Sequence, residues 1–215
     1  MRFDLRALPP SARYKIMTAT ITPRPIAWVT SVSADGVRNA APFSFFNMVG
    51  DDPPLLALGL MHRPDGRLKD TAANILATAE FTVNLVSEDD AERMNRCSAD
   101  APPEVDELSY AGIETLPASV IAAPLIASAP ASFECRRHSV IETGPRQTLI
   151  LGEVLVAHVA DRFVLDAENH HLDTPAMKLI GRTHGRGWYV RNGDTMQMDR
   201  PAYVPDSSQR NLPNR

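Results

Sequence analysis

Two clusters of side chains in this sequence carry chemistry that packing alone does not require. The first is NAAPFSFFNMVGDDPP, Asn39 to Pro54, which crowds Phe43, Phe45 and Phe46 around Ser44 and Asn47 and stops at a double proline. Aromatic rings can flank the face of a flat heterocycle while backbone amides and the Ser and Asn groups bond its edge. The same rings would equally serve a core, as a buried strand end and turn. The second cluster is HRPDGRLKDTAANI, His62 to Ile75. Here a turn at Pro64, Asp65 and Gly66 precedes a helix capped by Asp70 or Thr71, and Arg63, Arg67 and Lys69 lie just upstream of its first N–H groups. Arg63, Lys69 and the Thr71 hydroxyl before a helix N-terminus suit a dianionic monoester phosphate. Taken singly, Lys69 reads as a solvated lysine beside Asp70, and Thr71 as an ordinary cap.

Other chemistries lack their residues. There is no Walker A run, no GxSxG, no HExxH and no paired Cys/His ligand spacing. Gly181, Gly185 and Gly187 in GRTHGRG lack the spacing and strand-to-helix context of a dinucleotide fingerprint, so this stretch reads as a flexible basic lid. His170 and His171 are adjacent, would face opposite ways in a strand, and read as a solvated pair. Cys97 and Cys135 stand far apart without a CxxC and read as buried free thiols. A net charge of −4 and a pI near 5.9 give no global field for nucleic acid. No apolar run reaches membrane-spanning length, and MRFDLRALPP lacks the apolar centre of a secretory signal. The expectation is a cytoplasmic protein with neither nucleic acid nor membrane as partner.

The elements that must position the two clusters follow from pattern. Pro9, Pro10 and Ser11 start a short helix over Ala12 to Thr18, expected to close one end of a barrel or sandwich. Ile26 to Ser33 is a strand, Asp35-Gly36 a tight hairpin turn, and Val37 to Ser44 the returning strand. LLALGLM, after Pro54, reads as a strand buried on both faces, and the capped helix runs to Thr78. Phe81, Val83 and Leu85 alternate with Thr82 and Asn84, which predicts a strand with one wet face. Ser87 and Asp90 form a capping box for a helix through Arg96. Residues 98–131 are rich in Ala and Pro and form a long excursion, expected to pack on a partner subunit. SFECRRHSVI and TLILGEVLVAHVADRFV are two further strands joined at Gly144-Pro145. At 215 residues the pattern predicts one mainly β barrel domain over 1–201 with a few short helices, and a loose tail over 202–215.

In these motifs the chain resembles the flavin reductase-like proteins with an FMN-binding split barrel, especially their flavoredoxin-like branch. The matching residues are Tyr14-Lys15, PRPIAWVTS at 23–31, NAAPFSFFN at 39–47, DDPP at 51–54, RPDGRLKDTAANI at 63–75, FTVNLV at 81–86, FEC at 133–135 and GEV at 152–154. The resemblance implies a six-stranded antiparallel split β-barrel, a homodimer, and FMN in a groove near the subunit boundary. It places Ser44, Phe45, Phe46 and Asn47 along the isoalloxazine edge, Trp28, Thr30 and Ser31 near the ribityl chain, and Arg63, Lys69, Asp70 and Thr71 around the phosphate. The chain departs from the family near its C-terminus, where Thr183-His184-Gly185-Arg186-Gly187 precedes Trp188-Tyr189.

The implied activity is that of a flavin reductase passing a hydride from NADH or NADPH to FMN, with His184 and Arg186 meeting the nucleotide and His184 the candidate catalytic residue. A flavin-dependent monooxygenase or another redox partner would receive the reduced flavin. Two alternatives stand beside it: a non-enzymatic FMN protein that relays electrons, and a structural barrel that has lost its flavin.

Overall fold

The computed structural model describes residues 1–203, so most of the expected tail, 202–215, lies outside the described residues. The main sheet contains β1 (Ala27–Val32), β2 (Arg38–Phe43), β3 (Phe46–Asp51), β4 (Pro54–Met61), β5 (Glu80–Leu85), β6 (Ala131–Gly144) and β7 (Gln147–Val159). Its order is β2-β1-β5-β6-β7-β4-β3, antiparallel throughout. The two edge strands, β2 and β3, are successive parts of one segment that bends at Ser44 and Phe45; one half pairs with β1 and the other with β4. The expected six strands thus become seven because that segment breaks at the bend, and the sheet stays open between its two edges. Gly59 makes the bend possible: its N–H donates to the Phe45 carbonyl at 2.7 Å, and a Cβ there would stand 3.0 Å from Phe45 Cβ.

Alternation along β1 serves two cores. Ala27 and Val29 point inward with Leu56, Leu58, Leu60, Phe81, Val83 and Ile150, whereas Ile26 and Trp28 join an outer cluster with Met94, Leu108 and Ile126. Each large side chain so buried contributes about 1.5–3 kcal/mol relative to exposure. Among the described residues four α-helices decorate the sheet: α1 (Pro10–Thr20), α2 (Asp70–Thr78), α3 (Ala91–Arg96) and α4 (Glu107–Ala111). Only α2 enters the inner core, through Ala72 and Ile75.

Four local expectations need correction. Thr82 and Asn84 are fully buried, because the excursion folds back over its own sheet and consumes their polar groups. Thr82 Oγ1 donates to the Ala123 carbonyl at 2.8 Å, and Asn84 Oδ1 accepts the Ile126 amide at 2.9 Å. On β4, Leu56, Leu58 and Leu60 are buried but Met61 is exposed, since the outer cluster stops short of this strand. Helix α1 closes no end of the barrel. Its one buried residue is Thr18, and its C-terminus is held by Arg24, whose guanidinium donates to the Thr18 and Ile21 carbonyls at 2.7 and 2.6 Å. The capping box also fails: Glu88–Asp90 is a 3₁₀ turn, and Asp90 turns to Ser128 at 3.0 Å and Arg93 at 2.5 Å.

The long β6–β7 hairpin forms as expected, and a second hairpin follows, β8 (Ile180–Arg182) and β9 (Tyr189–Arg191), paired with Arg24–Pro25. Cys97 and Cys135 are free and buried, and His170 and His171 are exposed.

Candidate functional site

A cleft of about 170 Å³ lies between β2 and the start of α2. Asn39, Pro42 and Phe43 line it from β2, Lys69, Asp70 and Thr71 from the start of α2, with Arg63, Glu107 and the segment 97–101 on the remaining sides. The run DTAANILAT is rich in strong helix formers and ends where Ala79 takes a left-handed conformation at φ 62°. Its beginning is more informative. Lys69 is the N-cap, extended at φ −74° and ψ 157°, and no side chain caps the helix, neither Asp70 nor Thr71 as expected. Because the first helical bond runs from Ala73 N to Lys69 O at 3.0 Å, the amides of Asp70, Thr71 and Ala72 have no helix acceptor.

The Thr71 hydroxyl faces inward instead of capping. It donates to Asn39 Oδ1 at 2.7 Å, and the same oxygen accepts Ser31 Oγ at 3.2 Å, which in turn accepts Asn74 Nδ2 at 3.1 Å. The other end of the Asn39 amide donates to Glu107 Oε2, which also accepts the Ala40 amide at 2.9 Å. Ser31, Asn39, Thr71, Asn74 and Glu107 are all buried, and through Asn39, Thr71 and Glu107 this polar network forms part of the cleft wall. Burial pushes the Glu107 carboxyl up to about 7, against the opposing pull of the Ala40 amide.

The charged residues differ in how they are held. Arg63 pairs with Asp70 at 2.9 Å, and both side chains are about three-quarters covered. A carboxylate repels an anion, so Asp70 serves the cleft by fixing the Arg63 fork. Lys69 reaches Asp100 at 3.7 Å, a looser and more exposed pair. Next to the cleft in sequence, Ser44, Phe45 and Phe46 are half-buried at the split, with Phe45 6.1 Å from the Tyr14 ring. Asn47 is exposed, and its Oδ1 accepts the Met48 amide.

The structure thus brings Arg63, Lys69, Asp70 and Thr71 together beside Phe43. It separates Trp28 and Thr30 from them, because both point from β1 to the outer face. Trp28 is wholly buried in the outer cluster, and Thr30 spends its hydroxyl on the Pro124 carbonyl at 2.5 Å. Ser31, one residue on, faces the network. His184 lies in the β8–β9 turn with its ring stacked on Trp188 at 5.7 Å, and it is not among the residues lining the cleft. The Cys97 thiol reaches the cleft wall, but burial pushes it up to about 11, too high for a nucleophile at neutral pH. Sequence reasoning missed the linking role of Asn39, although it lies within the aromatic stretch, and missed Glu107 altogether. Glu107 sits in the Ala- and Pro-rich excursion, where no periodicity marks it.

Residues 18–172 match the flavin reductase-like domain. The chain belongs to this family. Among its relatives is an uncharacterized protein of Deinococcus radiodurans, 46% identical over 206 residues that cover 94% of this chain and 90% of that one. Two solved family structures are also similar. The 2-nitrobenzoate 2-nitroreductase NbaA of Pseudomonas fluorescens is 31% identical at a TM-score of 0.86, covering 96% of this chain and 100% of its own. Component B of the nitrilotriacetate monooxygenase of Bacillus cereus is 30% identical at 0.86, covering 92% and 98%.

Proposed function

We propose that this protein is a flavin oxidoreductase that binds FMN and passes a hydride to it from NADH or NADPH. One observation carries the reading: Arg63, Lys69 and the start of α2, with three amides that have no helix acceptor, line a cleft that runs along β2 as far as Phe43, one residue before the split at Ser44 and Phe45. These donors fit a phosphate group, and the half-buried rings of Phe43, Phe45 and Phe46 fit the planar end of the same ligand. The family membership supports the same assignment.

Bound FMN would supply the redox-active ring. The chain's own residues bind and orient. Arg63, pre-set by Asp70, and Lys69 neutralise the phosphate, while the Asn39–Thr71 bond fixes the first turn of α2 that presents its amides. Backbone amides around Phe45 to Asn47, with the Ser44 and Asn47 side chains, align along the ring edge and offset negative charge there. Ser31 acts through Asn39 rather than by contact. His184 and Arg186 are assigned to the nucleotide side of the open ring face.

The protein acts as a homodimer in this reading, with the excursion over 98–131, where Tyr110, Leu116 and Val120 are exposed, as the surface for a second copy. Similarity to a monooxygenase component supports an oxygenase as acceptor of the reduced flavin. The test is the visible spectrum of the protein with FMN, followed by anaerobic NADH and then NADPH. Flavin binding with rapid bleaching is expected. Binding without bleaching would point to an electron carrier, and no binding would refute the assignment of the cleft.

A further inference from the structure

We propose that Glu107 is a positioning residue that takes up one proton from solvent when a phosphate monoester enters the anchor, so that pH sets the affinity of the site through the phosphate alone. The inference rests on the flavin reading above and assigns to this chain a proton-linked step within it.

The geometry is specific. Glu107 opens α4 and is 7% exposed. It forms part of the wall between the anchor cleft and a second cleft of about 370 Å³ beneath Pro102 to Val105. Its Oε2 receives the Asn39 and Ala40 N–H groups, and among the described residues no Lys or Arg lies within ion-pair distance of it. The cations nearby are engaged elsewhere: Arg63 with Asp70, Lys69 with Asp100, and Arg38 of β2 with Asp106. From the end of α3, the Cys97 thiol stays neutral. Across the second cleft, Asp35 and Glu104 add only negative charge.

Burial holds the carboxyl near 7, with Asp70 raising it further and Arg63 and Lys69 drawing it down. A phosphate dianion claims those two cations and brings two negative charges of its own. Ionised Glu107 then has repulsion where it had partial compensation, and the protonated form is favoured. With the proton on Oε1, Oε2 still accepts from Asn39 and Ala40, so the grip of Asn39 on Thr71 survives. In this way the cleft accepts a dianion without leaving a buried carboxylate beside it.

The sign follows from linkage. A carboxyl whose value rises from about 7 on binding leaves affinity flat below pH 7. Above pH 7 affinity falls, by up to about tenfold per unit, until the bound-state value is passed. The second ionisation of the phosphate, near about 6, is complete in this range and does not contribute.

Titrations of the whole protein with FMN and with riboflavin between pH 7 and 8.5 test the inference, in wild type and in Glu107→Gln, which keeps an oxygen for Asn39. The FMN Kd should rise across this range in wild type, by no more than about tenfold per unit, stay flat in the variant, and stay flat for riboflavin in both. Calorimetry of the wild type at about pH 8 in two buffers of different ionisation heat should show net proton uptake with FMN, up to one proton, and none with riboflavin, a result that does not depend on the variant folding. An equal slope in Glu107→Gln, or no proton uptake with FMN, overturns the role of Glu107 and leaves the flavin reading standing. Failure of FMN to bind at any pH overturns both.

Discussion

Replacing Arg63 and Lys69 separately with alanine should cost different amounts, and only toward ligands that carry phosphate. The Arg63 side chain is 24% exposed and is held by Asp70 at 2.9 Å, so its donors are already aimed and partly out of water. Lys69 is 43% exposed and pairs only loosely with Asp100 at 3.7 Å, so it must be ordered on binding and is screened by salt. A hydrogen bond to a charged group contributes about 1.5–3 kcal/mol when well placed. An exposed ion pair contributes roughly 0.2–1 kcal/mol. Arg63→Ala should therefore raise the FMN Kd by roughly 10- to 100-fold, and Lys69→Ala by about 5-fold or less. Riboflavin affinity should hold within about twofold in both variants. Quenching of flavin fluorescence at 50 and 300 mM NaCl measures all of these, and the Lys69 effect should shrink at the higher salt. A larger loss from Lys69 than from Arg63, or an equal loss for riboflavin, would refute the claim that Arg63 is the pre-set phosphate ligand.

Four further outcomes follow from the scaffold. Glu134 is wholly buried, accepts the Ser119 and Val120 amides at 2.7 and 2.8 Å, and meets His158 Nε2 at 2.6 Å, so Glu134→Ala should cost about 3 kcal/mol in urea unfolding by orphaning those donors. Burial alone would raise the Glu134 carboxyl, but the Ser119 amide, the His158 ring and the Val120 amide hold it below the usual range. Its folded value thus lies beneath the unfolded one, so its contribution is present above about pH 4.3 and is lost as pH falls further; Glu134→Gln should flatten that part of the acid-unfolding curve. Gly152→Ala should lower the melting temperature by about 5 °C, since a Cβ there meets the Phe81 ring inside the core and overpacking costs roughly 1–3 kcal/mol. Cys97 and Cys135, raised by burial to about 11 and about 12, should stay silent to a thiol reagent at pH 8 until the protein is unfolded in guanidinium.

The parts legible in the sequence are those fixed by neighbours in the chain. The Asp35-Gly36 turn is one: Gly36 sits at φ 86° with its N–H on the Ser33 carbonyl, as the local residues predict. The convergence of Arg63, Lys69 and Thr71 is another, because all three lie within nine residues around one helix start. Where partners are distant, pattern misled. Thr82 and Asn84 look like solvated positions, but their partners are backbone groups of the excursion some forty residues away. Asn39 and Glu107 are 68 residues apart, and neither residue type announces the bond. Thr71 reads as a cap only while Asn39 is unknown as its acceptor.

The bend at Ser44 and Phe45 separates two ladders that share one strand. A residue inserted within β2 or β3 would slip a register and turn alternate side chains from core to solvent. An insertion at the bend would leave the pairing of β2 with β1 and of β3 with β4 in place and alter only the gap between them. The width of the gap at the bend is thus a dimension that can change by length rather than by composition, independent of the cores on either side.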